Sequence, residues 1–251
     1  MDALILAAGY GSRLRELEAC KPLTSLHGLS LLEIAIRQLA SVGATHIAVA
    51  TGHEAAAIEA QLPAMAERAG VVVEARRVAD HSLPNGHSVL TGAAGFAGDF
   101  LLVMADHIFS RAVLHTLTNG PAAGDGAVLA IDQRITSPLV DPDDATWVAR
   151  DAAGAILRIG KSISAYDAVD CGAFRASPAL LDAIRAAIRD GASGSLSDGM
   201  QRLADQGRAQ TVDIGDAWWI DVDDARALEL ARHQIRDQLP ELFASERAMT
   251  P

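Results

Sequence analysis

Short apolar runs of strand length alternate along the chain with stretches whose apolar residues recur every three or four positions. That order predicts an α/β fold with a mostly parallel, Rossmann-like central sheet flanked by helices. DALILA (2–7), THIAVAT (45–51), VVVEA (71–75), FLLVMAD (100–106), GAVLAI (126–131) and AQTVDI (209–214) read as strands. The 100–106 run is apolar almost throughout, as a strand buried on both faces must be. Between them, Ser30 and Glu33 form a capping box that opens a helix with Leu32, Ile36, Leu39 and Val42 on one face, and Gly43 stops it. The next helix is expected to break or restart at Pro63, because proline lacks the N–H donor. Ser177 and Pro178 open a further helix that Asp190 and Gly191 close, another lies around 196–206, and a last one runs from Asp223, its expected cap, to about Leu239.

The region 132–170 changes character. Pro138, Pro142 and short alternating pieces around Ala153 and Gly154 predict a small antiparallel annex. No repeat or low-complexity linker divides the 251 residues, so a single domain is expected, with a frayed tail from about 240 to 251.

Charge narrows the function. A net charge of −11 repels nucleic acid and anionic lipid, so any phosphate ligand must meet a local cationic site. Two cysteines, Cys20 and Cys171, build neither a disulfide framework nor a metal site. No apolar run reaches membrane-spanning length and no basic leader precedes the first strand, which predicts a cytoplasmic protein with no membrane insertion. A homodimer stays open.

The candidate chemistry begins at LILAAGYGSRL (4–14). A strand that ends in Gly9, Tyr10, Gly11 and Ser12 leaves several backbone N–H groups free to cradle an anion, and Arg13 and Lys21 add the cations that the acidic surface lacks. The glycines alone would equally serve a tight turn. A dinucleotide fingerprint needs a glycine where Leu14 stands, and the loop runs on to about Ser30 instead of entering a helix, which counts against a dehydrogenase; the Walker pattern is absent too.

Leu6-Ala7-Ala8-Gly9-Tyr10-Gly11-Ser12-Arg13-Leu14, followed by Lys21-Pro22-Leu23, resembles the signature of the sugar-phosphate nucleotidyltransferases. The resemblance implies a nucleotidyltransferase (GT-A-like) fold, with the loop holding a nucleoside triphosphate and Arg13 and Lys21 stabilising charge on its phosphates. MADHIFS (104–110) and WWIDVDD (218–224) resemble the family's metal-binding segments, which implies Mg2+ held by Asp106 and Asp221; Ala105 stands where the family has glycine. Asp106 and Asp221 also lie where apolar runs give out, at the sheet edge where open α/β folds bind ligands. Asp106 by itself could equally cap a turn.

The match continues through LPNGHSVL (83–90) and RIGKSISAYDAVDCGAF (158–174), and in this combination resembles the inositol-1-phosphate cytidylyltransferases. That implies CTP and inositol 1-phosphate as substrates, with Asn85, Gly86 and Ser88 against base and ribose, Lys161 on the acceptor phosphate, and Asp170, ahead of Asp167, on the acceptor hydroxyls. Without the resemblance, Asn85-Gly86 reads as a hairpin turn. His107 is either a donor to Asp106 or a satisfied core histidine. A phosphocholine cytidylyltransferase remains an alternative through Tyr166, Phe174, Trp218 and Trp219, as do enzymes using UTP or GTP and a sugar phosphate. A non-catalytic relative would lack one of Arg13, Lys21, Asp106 or Asp221, and all four are present.

Overall fold

The computed structural model describes residues 1–11 and 20–243. Ser12, Arg13, Leu14 and the tail from 244 onward lie outside the described residues.

Strand β1 (Asp2–Ala7) alternates its side chains between two cores. Ala3, Ile5 and Ala7 enter the cluster on one side of the sheet, whereas Leu4, Leu6 and Ala8 enter the other. Burial on both faces makes β1 the centre of the sheet. It pairs in parallel with β4 (His46–Thr51) on one side and β6 (Phe100–Met104) on the other, with Ile5 opposite both Val49 and Val103. β5 (Val72–Arg77) extends the parallel part beyond β4. On the far side of β6 the sheet turns antiparallel through the long β11 (Ala168–Ala176), which also pairs with β8 (Ala127–Asp132) and β9 (Trp147–Arg150). β10 (Ile156–Gly160) closes the edge beside β9, and β12 (Ala209–Asp213) runs parallel to β8. Nine described strands thus form one mixed, mostly parallel sheet. The expected annex is the β9–β10 hairpin, which prolongs this sheet; gaps in hydrophobic alternation mark its loops but not its pairing partners.

Helices cover both faces. α1 (Leu31–Ser41) starts at the Ser30 cap, whose hydroxyl accepts from the Glu33 N–H. The Glu33 carboxylate does not reach back to complete the box. It bonds Arg37 and Arg68 and so ties α1 to α2 (Ala55–Ala69). α2 runs unbroken through Pro63, because Ala55, Ile58, Leu62 and Met65 all bury along one stripe and this packing outweighs the lost donor. Asn85 and Gly86 open α3 (Asn85–Gly92) rather than a hairpin. The stretch after Asp106, for which periodicity gave no expectation, holds β7 (His107–Phe109) and α4 (Arg111–Asn119). α5 (Ala179–Arg189) and α6 (Leu196–Ala204) pack together on the β10 side, and Gly191 at φ +89° ends the turn after α5.

Two ribbons stand apart from the main sheet: β2 (Ser25–Leu26) with β3 (Leu29–Ser30), and β7 with β13 (Trp219–Asp221). α7 (Ala225–Gln238) covers them with a third apolar cluster that includes Leu26, Ile108, Ile220, Leu228 and Ile235. Its cap is Asp224, whose carboxylate accepts from the Ala227 N–H, and not the expected Asp223. Because β1, β4 and β6 are parallel, the glycine loop and Asp106 emerge from the same edge of the sheet.

Candidate active site

The glycine loop and Lys21 are made for each other. Gly11 adopts φ +58°, and a Cβ there would lie 2.7 Å from the Lys21 Cβ, so glycine allows the lysine stem to pass against the loop. A Cβ on Gly9 would meet nothing within 4 Å, so glycine at this position leaves open space rather than avoiding a clash. Leu6, Ala7, Gly9 and Gly11 line a cavity of about 290 Å³ with Lys21, Ala105, Asp106, Asp144 and Asp223. Ala8 does not join them. Its carbonyl accepts from the His53 N–H and ties the end of β1 to the end of β4.

Lys21 is 6% exposed and its Nζ lies 2.6 Å from Asp106 Oδ2 and 2.5 Å from Asp223 Oδ1. Burial disfavours its charge, but Asp106, Asp221 and Asp223 outweigh that and raise its pKa. Asp106 also accepts from His107 Nδ1 at 2.8 Å; burial works against the Asp106 carboxylate, yet Lys21 and His107 hold it well below the usual range. His107 is pushed up to about 9: burial opposes its charge, and Asp221 and Asp106 more than restore it. β13 pairs Asp221 with His107, which brings its Oδ1 to 3.6 Å from His107 Nδ1. Asp221 is shifted upward by burial, with Asp106 and Asp223 adding to it and His107 and Lys21 opposing.

These groups fit a divalent cation. Asp106 and Asp221 offer carboxylate oxygens with the His107 ring beside them, the three groups lying within 4.8 Å of one another, and Asp221 Oδ1 is buried without a hydrogen-bond partner. An orphaned carboxylate oxygen costs free energy unless something electropositive reaches it. Sequence reasoning missed Asp223 by giving it the cap. The signal was the second aspartate: in the run Asp221-Val222-Asp223-Asp224, only Asp224 stands the capping distance before Ala227.

A second cavity, of about 210 Å³, adjoins the first and shares Asp144 and Asp223 with it. Lys161 and Asp170 line it together with Asn85, Asp221 and Arg226. Lys161 Nζ is held by Asp144 Oδ1 at 2.5 Å. Asp170 sits at a β-bulge, where its Oδ1 accepts from the Gly172 N–H, and burial raises its pKa to about 6 despite that bond and the nearby His107 charge. Asp167 is turned outward, onto Arg150. Gly172, at φ +75°, is required by His107: a Cβ there would lie 2.5 Å from the ring.

Gly86 and Ser88 line neither cavity. A Cβ on Gly86 would lie 2.2 Å from the Gly194 carbonyl oxygen, so this glycine serves the packing of α3 against the entry to α6. Asn85 Oδ1 accepts from the Leu196 N–H at the start of α6, and Asn85 also lines the second cavity. Of the aromatic residues named for an ammonium cage, Phe174 and Trp219 line the second cavity and Tyr166 is exposed. Trp219 stacks on His107, Tyr166 stacks on Trp147, and Phe174 is buried. No described helix is long and apolar enough to cross a membrane.

Known proteins resemble this chain in sequence and in fold. The profile of the MobA-like NTP transferase domain family matches residues 3–210. The bifunctional IPC transferase and DIPP synthase of Rubrobacter xylanophilus is 34% identical over 188 residues, 74% of this chain and 41% of that protein. A bifunctional GlmU protein of an Anaeromyxobacter species is 32% identical over 190 residues, 72% of this chain and 37% of that one. The chain therefore spans about two fifths of the length of these curated relatives. The solved structure of the inositol-1-phosphate CTP transferase from T. maritima superposes with a TM-score of 0.78 at 22% identity, covering 94% of this chain and 96% of that one, which shows a shared fold. With the family profile spanning the glycine loop, Asp106 and the Lys161–Asp170 wall, the chain belongs to the MobA-like NTP transferase domain family.

Proposed function

We propose that the chain is an Mg2+-dependent cytidylyltransferase that joins CTP to inositol 1-phosphate and releases CDP-inositol and pyrophosphate. The observation that carries this reading is Lys21, whose ammonium is held between Asp106 and Asp223 where a glycine-lined cavity meets one lined by Lys161 and Asp170. Two phosphate-bearing substrates brought end to end need cations at that junction. Asp106 and Asp221 would hold the metal, which when bound offsets the negative charge gathering on the phosphates.

The chain's own groups supply the rest. Leu6, Ala7, Gly9 and Gly11, with Ser12 and Arg13, cradle the triphosphate, and Lys21 turns from its aspartates toward the phosphate oxygens. Lys161 orients the acceptor phosphate, and Asp170 accepts from ring hydroxyls. A phosphate oxygen of the acceptor then attacks the α-phosphorus in line, forming the new P–O bond as the bond to pyrophosphate breaks. The acceptor phosphate is already ionised near neutral pH, so no general base is needed. Asn85, which lines the second cavity, reads a base edge through its amide. The R. xylanophilus relative, named as an IPC transferase, supports the inositol phosphate reading. An enzyme that uses UTP or GTP and a sugar phosphate is the alternative. Phosphocholine stays a further alternative, because Phe174 and Trp219 line the second cavity.

The test is pyrophosphate release with Mg2+ and each nucleoside triphosphate, against inositol 1-phosphate, phosphocholine and hexose 1-phosphates. CTP with inositol 1-phosphate is expected to dominate; turnover only with a hexose phosphate would reject the assignment. Asp106→Ala and Asp221→Ala are expected to fold and to lose about a thousandfold in turnover.

A further inference from the structure

We infer that Asp132 is a positioning residue for the cation site, acting through Trp219: its carboxylate fixes the indole that in turn fixes His107 and the strand bearing Asp221. The inference rests on the proposed metal reading and adds a group that touches neither substrate nor cation.

Asp132 ends β8 and is 1% exposed. Its Oδ2 accepts from Trp219 Nε1 at 2.9 Å, while Arg134 grips both oxygens from Nε and Nη2, each at 2.9 Å. Arg134 Nη2 also donates to the Ala217 carbonyl, two residues before Trp219. A buried carboxylate is weak evidence for stability, since an apolar residue of the same shape often does as well. What this one supplies is direction. Among the described residues no strand ladder joins the β7–β13 ribbon to the nine-stranded sheet, although the ribbon carries His107 and Asp221 and the sheet's β6 leads to Asp106. The Asp132–Trp219 bond spans that gap with fixed length and orientation.

The indole then acts on the site from its other side. It stacks on the His107 ring, with centroids 6.0 Å apart and planes 19° apart, while Gly172 leaves room for the ring's Cδ2–Nε2 edge. A ring packed in this way presents Nδ1 to Asp106 Oδ1 at 2.8 Å and cannot swing away. Outer groups of this kind set the affinity of a metal site because they hold its ligands in register before the ion arrives.

The test is Mn2+ binding to the nucleotide-free protein, followed by electron paramagnetic resonance of the free ion, in wild type, Asp132→Leu, Trp219→Phe, the double variant and Asp132→Asn. Asp132→Leu frees Arg134 to turn to solvent, and Trp219→Phe keeps an aromatic ring beside His107 while removing the N–H donor with part of the indole, so it carries the test if the leucine variant fails to fold. Each single change is expected to weaken Mn2+ binding about tenfold or more. The double variant should be no worse than either, and Asp132→Asn, which still accepts from Nε1, should recover part of the loss. Wild-type affinity in the singles, or losses that multiply in the double variant, would overturn the relay while leaving the metal reading intact. Failure of the wild type itself to bind Mn2+ removes the metal reading and the relay with it.

Discussion

At the scale of residues, the site is a charge problem solved by proximity. Three carboxylates, Asp106, Asp221 and Asp223, surround one buried ammonium, Asp106 and Asp221 also face one imidazole, and the shifts of Lys21, Asp106, His107 and Asp221 follow from burial set against these partners. Asp170 stands apart, because burial alone dominates it. Its pKa is about 6 in the fold against 3.8 for the free side chain, so the folded protein prefers the protonated form. The stability this contributes is present below about pH 4 and is lost as the pH rises through about 6. Asparagine keeps an oxygen for the Gly172 N–H and carries no charge to bury. Asp170→Asn is therefore expected to raise the melting temperature at pH 8 and to leave it nearly unchanged near pH 4, as read by thermal unfolding across that range. If Asp170 also receives acceptor hydroxyls, the same variant should show a higher KM for the acceptor.

At the scale of elements, the junction of α3 and α6 ties substrate recognition to stability. Asn85 opens one helix and its Oδ1 satisfies an N–H at the start of the other, while Gly86 lets the two backbones approach. Asn85→Ala should lose about 1 kcal/mol, the usual worth of a capping acceptor. Asn85→Asp keeps that acceptor but loses the NH2 group proposed to read the base. The aspartate variant is expected to hold its melting temperature within a degree or two of wild type while the KM for CTP rises; an unchanged KM would limit Asn85 to a structural role.

At the scale of the molecule, two adjoining cavities with different walls predict that mutations sort by substrate: the glycine-lined cavity and the Asn85 end of the second serve CTP, and the Lys161–Asp170 wall serves the acceptor. The glycine-lined cavity draws on β1 and β6, and the other draws on β10, β11, α7 and the 138–146 loop. Arg226 of α7 donates to the Pro138 carbonyl and joins two of those walls. Lys161→Ala is expected to raise the KM for inositol 1-phosphate about tenfold or more with the KM for CTP unchanged, since losing one charge-assisted contact costs roughly 1.5–3 kcal/mol. Equal rises in both values would mean that the two cavities act as one.

What the sequence determined by itself is what depends on neighbours along the chain. The apolar run DALILA located β1 at its observed bounds, and the glycine loop, Lys21 and the two aspartates at the ends of apolar runs were legible as candidates that the fold gathers at one edge of the sheet. Tertiary structure decided everything that depends on what lies opposite. It carried α2 through Pro63 because a buried stripe outweighed a missing donor, and it made Asn85-Gly86 a helix start because α6 supplied the N–H and carbonyl to meet them. It gave the cap of α7 to Asp224 and freed Asp223 for Lys21, a choice among adjacent aspartates that spacing to a helix turn settles only once the helix is in place. Period and composition report local preference, whereas the partner of a buried charge is fixed by which strands the fold lays side by side.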